Sequence, residues 1–280
     1  MQNNIEELRV AIKEKKVLLF VGSGISCSVG LPSWSRLIEE LAKKLGIDKD
    51  LYRMLGDNLS LAEYYEIFNL EINPAVSPMK YICEYVKGEE KKLEVTISTA
   101  KVLKQIIDLD CPIIYTTNYD HCLETAYSEH NKHPIVIRNV SDFSSICAGE
   151  TQIVKLHGDY DSPQSIVFSE SSYFDRLDFE SPLDIKLRAD MLSRSILFIG
   201  YSLSDVNIRL LIHKLDKLWR KNGELGGCSI NKRPNSYIFM AQPNYIQEKI
   251  LVNKNIIPII GEGTDPRIST ERFLESIQPK

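Results

Sequence analysis

The sequence predicts an α/β chain: a mostly parallel sheet with helices on both faces, interrupted by a helical insertion. Three observations carry that prediction. Short, wholly apolar runs occur at residue 17 and repeatedly from residue 112 onward, as in strands buried on both sides. Segments with apolar residues three and four apart stand between those runs, and strands that alternate with helices imply parallel pairing. The 280 residues suffice for one large α/β unit carrying an insertion.

Ile5, Leu8 and Ile12 recur at helical spacing, predicting a helix over 4–15. "VLLFVG", residues 17–22, reads as the first buried strand. In "SWSRLIEELAKKLG", Trp34, Leu37, Ile38, Leu41 and Leu45 share one helical face, with Ser33 placed to cap the start and Gly46 the end. Residues 47–111 read as helical, as in "SLAEYYEIFNL" and "AKVLKQIIDLD". The stretch 33–111 is therefore the expected helical insertion, and 1–32 with 112–280 the expected Rossmann-like core of a single domain spanning 1–280. From Pro112 the predicted strands are "IIYTT", "PIVIR", "TQIVKLH", "SILFIGYSL", "SYIFMAQ" and "NIIPIIG". "DVNIRLLIHKLDKLW" places Ile208, Leu211, Ile212, Leu215, Leu218 and Trp219 on one helical face, and "KNGELGGCSINKRPNS", residues 221–236, is predicted as a long surface loop. No internal repeat or low-complexity tract is evident.

Composition narrows the function classes. With 34 basic and 38 acidic side chains and a formal charge of −4, no global basic field exists to draw in nucleic acid or an anionic membrane. The apolar runs at 196–199 and 256–260 fall far short of a membrane span. "MQNNIEELRVAIKEKK" carries acidic residues and no apolar core, so it does not read as a secretory signal. Six scattered cysteines form no C-x-x-C pair, which argues against a zinc knuckle or a disulfide framework and for buried thiols in a reducing compartment. The expectation is a cytoplasmic protein without a metal.

In such sheets ligands bind beyond the carboxyl ends of the strands. Four predicted strands end in polar residues: Gly22, Ser23, Gly24, Ile25 and Ser26; Thr116, Thr117, Asn118, Tyr119 and Asp120; His157, Gly158 and Asp159; and Gly200, Tyr201, Ser202, Leu203, Ser204 and Asp205. Gly22 and Gly24 would let bare backbone approach an oxyanion. Cys27 stands where a dinucleotide fingerprint needs its third glycine, and no G-K-[ST] is present, which removes a P-loop. A tight turn explains this stretch equally well. Asn118 precedes a predicted helix and could simply cap it, as Ser202 and Asp205 could cap theirs. Among five histidines only His157 directly follows a predicted strand and precedes glycine, although isolated histidines are more often structural.

Taken in order, these four strand ends resemble the sirtuin family. Gly22-Ser23-Gly24-Ile25-Ser26 is similar to its G-A-G-x-S turn, Gly30-Leu31-Pro32 to its G-I-P, and Thr116-Thr117-Asn118-Tyr119-Asp120 to its T-Q-N-x-D. His157-Gly158 is similar to its H-G, and Gly200-Tyr201-Ser202-Leu203 to its G-T-S-L. The departures are informative. Beyond the H-G pair only Cys228 remains, so the two C-x-x-C zinc pairs of the deacylases are missing. Pro32-Ser33-Trp34-Ser35 replaces their P-D-F-R, and "SIVFSESSYF" enters a helix where they have a substrate-holding strand. These differences resemble the bacterial sirtuin-like domains that hydrolyse NAD in antiphage defence.

The resemblance implies an NAD glycohydrolase that releases nicotinamide and ADP-ribose, with NAD as substrate and no metal. It assigns Asn118 to the ribose or the attacking water and His157 to proton transfer. The turn of Gly22, Ser23, Gly24 and Ser26, with Asp120, Gly200, Ser202 and Asp205, would hold the rest of the dinucleotide. Two alternatives stay open: an NAD-dependent protein deacylase, and a non-catalytic sensor of NAD or ADP-ribose. A dehydrogenase is the weakest reading, given the broken glycine pattern. An unrestrained NAD consumer would kill its own cell, so the resemblance also implies control in trans, by homo-oligomerisation or by a HerA-type ATPase partner.

Overall fold

A computed structural model describes residues 2–178, 180–201, 205–224 and 234–279. The chain opens with α1 (Gln2–Lys13), β1 (Val17–Val21) and α2 (Ser23–Ser28). Six helices follow: α3 (Trp34–Leu45), α4 (Lys49–Met54), α5 (Asn58–Ile72), α6 (Pro78–Lys92), α7 (Glu94–Ser98) and α8 (Lys101–Asp108). Next come β2 (Ile113–Thr116), α9 (Cys122–Glu129), β3 (Ile135–Ile137), β4 (Gln152–Lys155), α10 (Glu170–Phe174) and α11 (Pro182–Ser193). The last part alternates β5 (Ser195–Ile199), α12 (Val206–Glu224), β6 (Ser236–Met240), α13 (Tyr245–Asn253), β7 (Ile256–Ile260) and α14 (Pro266–Ser276).

The strands form one sheet in the order β3-β4-β2-β1-β5-β6-β7. Every pairing is parallel, with Leu18 of β1 opposite Ile113 on one side and Ile196 on the other. All of β1 is buried, as its unbroken apolar run requires. Its side chains alternate between two cores. Val17, Leu19 and Val21 join apolar residues of α1, α8, α9 and α14; Leu18 and Phe20 join those of α11, α12 and α13. At roughly 1.5–3 kcal/mol for each fully buried side chain of this size, the central strand ties the two helical layers together.

The stretch 33–111 divides in its packing. Helices α3 to α6 enclose a third core with Tyr160, Ile166 and Phe168, residues that follow β4. By contrast Ile97 of α7 and Val102, Leu103, Ile106 and Ile107 of α8 lie in a sheet core. Both caps of α3 match their residues. The Ser33 side chain accepts from the Arg36 amide, and Gly46 is left-handed at φ 72°. Of the expected loop 221–236, the residues up to Glu224 belong to α12, and Ser236 begins β6. The part of it at 225–233 lies outside the described residues. Among the described residues no helix is long and apolar enough to cross a membrane.

The strand order reverses at β1. The chain first builds outward through β2 on one side, then returns to β5 on the other. A crevice opens at such a reversal, beyond the carboxyl ends of β1 and β5.

Candidate active site

At that reversal the turn after β1 packs directly on the end of β5. Gly22 donates its N–H to the Ile199 carbonyl (2.9 Å) and Gly24 to the Gly200 carbonyl (2.9 Å). A Cβ on Gly22 would lie 2.4 Å from the Gly200 oxygen, and one on Gly24 2.8 Å from it; Gly200 itself sits at φ 63°. The glycines are thus required by backbone meeting backbone. The Gly22 N–H is thereby taken up by the end of β5. The Gly24 N–H is already used, and the Ile25 N–H bonds the Gly22 carbonyl at 3.1 Å.

Asn118 does not cap a helix. His121 occupies the N-cap position of α9, and Asp120 accepts from the Cys122 amide at 3.1 Å. Instead the Asn118 amide nitrogen donates to the Ser26 hydroxyl (3.0 Å), while its backbone N–H bonds the Thr116 hydroxyl (3.0 Å). The side chain therefore bridges the end of β2 and helix α2.

His157 leaves β4 on a turn that only glycine can complete. Gly158 has φ 87°, and a Cβ there would lie 2.2 Å from the Ser165 carbonyl oxygen. The His157 carbonyl accepts from the Val167 amide at 3.0 Å. Its Nε2 faces Asp205 Oδ2 at 3.4 Å and its Nδ1 the Tyr173 hydroxyl at 3.3 Å. The imidazole is 2% exposed. Burial pulls its pKa down to about 4, although the Asp205 carboxylate pushes it up. The ring is neutral at physiological pH, a state fit to take a proton. Asp205 has two tasks: its Oδ1 accepts from the Ile208 amide at 3.1 Å, capping α12, while Oδ2 meets the histidine.

These groups open on a cavity of about 370 Å³. The core side contributes Ser23, Ser26, Asn118, Asp120, His157, Gly200 and Asp205; the helical insertion contributes Ser33, Trp34, Leu37, Asp57 and Leu59. A second cavity of about 660 Å³ lies against Gly24, Cys27, Phe239, Gln247 and Thr270. Ser23, Gly200 and Tyr201 line both. Gly22 is buried in the turn and lines neither. Ser202 lies outside the described residues.

Residues 112–259 match the SIR2-like domain family. The chain belongs to that family. This SIR2-like chain is 27% identical over 230 residues to the NAD(+) hydrolase ThsA of Bacillus cereus, covering 81% of this chain and 46% of the relative. It is 28% identical over 231 residues to the protein of the same name from Enterococcus faecium, with the same coverage of 81% and 46%. It is also 27% identical over 226 residues to defense-associated sirtuin 2 of Bacillus subtilis, over 76% of this chain and 20% of that one. The chain thus spans less than half the length of the curated relatives it matches.

Sequence reasoning missed two features of this SIR2-like site. One is Tyr173, on a five-residue helix with no periodic signal. The other is a buried charge network beneath the Asn118 loop. Lys155, 0% exposed, bonds the Asp120 carbonyl (2.6 Å) and pairs with Glu124 (3.1 Å) and Asp159 (3.0 Å). Asp159 also meets His121 (2.8 Å) and Arg138 (3.0 Å). Burial would raise the Asp159 pKa, but His121 and Lys155 hold it well below the usual carboxylate range. His121, Asp159 and Asp161 form one grouping with metal-ligand spacing among the described residues. The chemistry of the donor set disfavours a cation there, because Lys155 and Arg138 already neutralise the central carboxylate. The lone lysine inside the apolar run "TQIVKLH" was the available signal.

Proposed function

We propose that this chain is an NAD glycohydrolase, cleaving the nicotinamide–ribose bond to give nicotinamide and ADP-ribose. One observation carries the reading: a neutral, buried His157 and the amide of Asn118 face one cavity at the strand reversal, and Ser23, Gly200 and Tyr201 form a wall it shares with a second cavity. Two adjoining cavities suit the two halves of a dinucleotide. The nicotinamide riboside half lies in the first and the adenosine half in the second, with the pyrophosphate at the shared wall beside exposed Ser23. The ThsA relatives, named NAD(+) hydrolases, support the same chemistry.

In the hydrolysis, the glycosidic electron pair leaves with nicotinamide, which departs neutral from a cationic ring. A water oxygen bonds the anomeric carbon and gives up its proton to His157. Asn118 and Asp120 orient the ribose or the water at the carbon. Positioned proton transfer of this kind contributes ~10²–10⁴-fold, and fixing the reactants adds further acceleration. The imidazolium that forms is stabilised by Asp205 at 3.4 Å. An NAD-depleting role in antiphage defence belongs to the same proposal, as does control by self-association or by an ATPase partner. The name of the Bacillus subtilis relative points the same way.

Incubating the protein with NAD and resolving the products tests the reading. Nicotinamide and ADP-ribose are expected, with His157→Ala and Asn118→Ala each slowing turnover by at least ~10²-fold while the far-UV spectrum is unchanged. Binding of NAD with no product from the wild type, alone or activated, would leave a sensor. Wild-type turnover in either variant would remove the mechanism.

A further inference from the structure

His157 is buried and neutral, so its ring carries one proton, and the nitrogen that carries it decides whether the residue can act as a base. With the proton on Nε2, that nitrogen would face Asp205 as a donor and have no lone pair for water or ribose. With the proton on Nδ1, Nε2 is free to accept. Asp205 alone favours the first arrangement, since its carboxylate lies 3.4 Å from Nε2. Among the described residues, the other polar side chain that the ring contacts is Tyr173, whose hydroxyl lies 3.3 Å from Nδ1.

We propose that Tyr173 is the positioning residue that sets this tautomer: its hydroxyl oxygen accepts the Nδ1 proton, leaving the Nε2 lone pair open to the cavity. The inference rests on His157 being the base of the proposed hydrolase. Three features support it. The phenol meets the imidazole edge-on, with centroids 5.0 Å apart and planes at 75°, so the contact also fixes the ring's rotation. Burial first, and the Asp205 carboxylate with it, hold the Tyr173 phenol protonated, so it meets the ring as a neutral hydroxyl whose oxygen can accept. Finally, α10 is held from the helical insertion. Glu63 of α5 accepts from the Ser171 amide (2.9 Å) and from its hydroxyl (2.8 Å). Burial raises the Glu63 pKa, yet these donors outweigh it and keep the carboxylate below its usual range. Ser172 adds a local clasp, accepting from the Phe168 amide at 2.9 Å. A helix of five residues would not hold its tyrosine in place by itself.

The decisive measurement is the ¹⁵N–¹H correlation of the His157 ring in the whole chain at neutral pH, paired with steady-state NAD kinetics. The wild type is expected in the Nδ1–H form. Tyr173→Phe keeps the ring and removes the oxygen. It should move the proton to Nε2 and lower kcat by about 10- to 100-fold, the range found for partners that orient metal-bound imidazoles, with KM within about twofold. Glu63→Ala should shift kcat in the same direction by less. An Nε2–H wild type, or an unchanged kcat in Tyr173→Phe, overturns the assignment. Should Tyr173→Phe not fold, the wild-type spectrum still decides. That spectrum needs no substrate, so a wild type that leaves NAD intact would sink the hydrolase reading without touching the tautomer.

Discussion

Lys155 and His157 stand two residues apart at the end of β4, both basic and both almost fully buried, at 0% and 2% exposure. They end in opposite charge states. Burial pushes each toward neutrality. For Lys155 the push fails, because Glu124 and Asp159 hold its pKa above the usual lysine range. For His157 the push succeeds, because the Asp205 carboxylate at 3.4 Å and the weaker pull of Asp184 do not outweigh it, and Arg176 adds to it. Burial therefore does not set the charge by itself; the number and closeness of the partners do. The lysine becomes a fixed strut under the loop that carries Asn118, and the histidine a neutral group able to take a proton.

Removing the strut should give the largest effect on stability. Lys155→Met leaves Asp159 and Glu124 without their central counter-charge in a buried place, at a cost of about 3–5 kcal/mol. Urea titration of the two proteins measures it. The loss should be larger than for Arg138→Met, whose side chain is 34% exposed and whose solvent screens the change. A Lys155→Met protein as stable as the wild type would break the comparison, since the lysine would then not be held charged by its neighbours.

Much of this contrast was invisible along the chain, for identifiable reasons. The strands were legible because burial on both faces leaves wholly apolar runs such as Val17–Val21. So were the ends of α3, because Ser33 and Gly46 act through bonds within a turn. His157 and Asn118 were legible as polar residues at strand ends, where the sheet reversal gathers them. The charge network was not. Asp159 recruits His121 and Arg138 across 38 and 21 residues of sequence, and only tertiary structure brings them to one carboxylate. Nor was the true constraint on Gly22 and Gly24, which is their approach to Gly200 nearly 180 residues away. Ser33 read as a cap and is one, but its place in the cavity wall depends on how α3 packs.

The neutral histidine should write itself into the pH dependence of stability. Its pKa is 6.5 in the open chain and about 4 in the fold. Between those values the unfolded state binds the extra proton, so this contribution is fully present above pH 6.5 and is lost as pH falls toward 4. At 1.36 kcal/mol per unit the loss has an upper bound of roughly 3 kcal/mol. Asp205, Asp184, Arg176 and Tyr173 surround the ring. The readout is therefore the difference between wild type and His157→Gln in urea titrations from pH 4 to 7. Parallel curves for the two proteins would mean that the imidazole titrates in the fold as it does in the open chain.

The smallest expected effect is also the sharpest test of the contrast. Asp205→Asn keeps the shape and the cap on α12, because asparagine accepts the Ile208 amide as well as aspartate does. What it removes is the larger of the two nearby charges that favour protonated His157, the other being Asp184. At neutral pH the ring carries no charge, so the 3.4 Å contact is not an ion pair and stability should change by less than about 0.5 kcal/mol. The histidine titration, followed by NMR, should move further down than in the wild type, since the carboxylate was pushing it up. Asp159→Asn, the same change of chemistry beside Lys155, should cost several-fold more stability because the Lys155 ammonium and Arg138 guanidinium beside it are charged. Equal losses in the two variants would mean that both sites are ion pairs at neutral pH, and a neutral His157 would have to be abandoned.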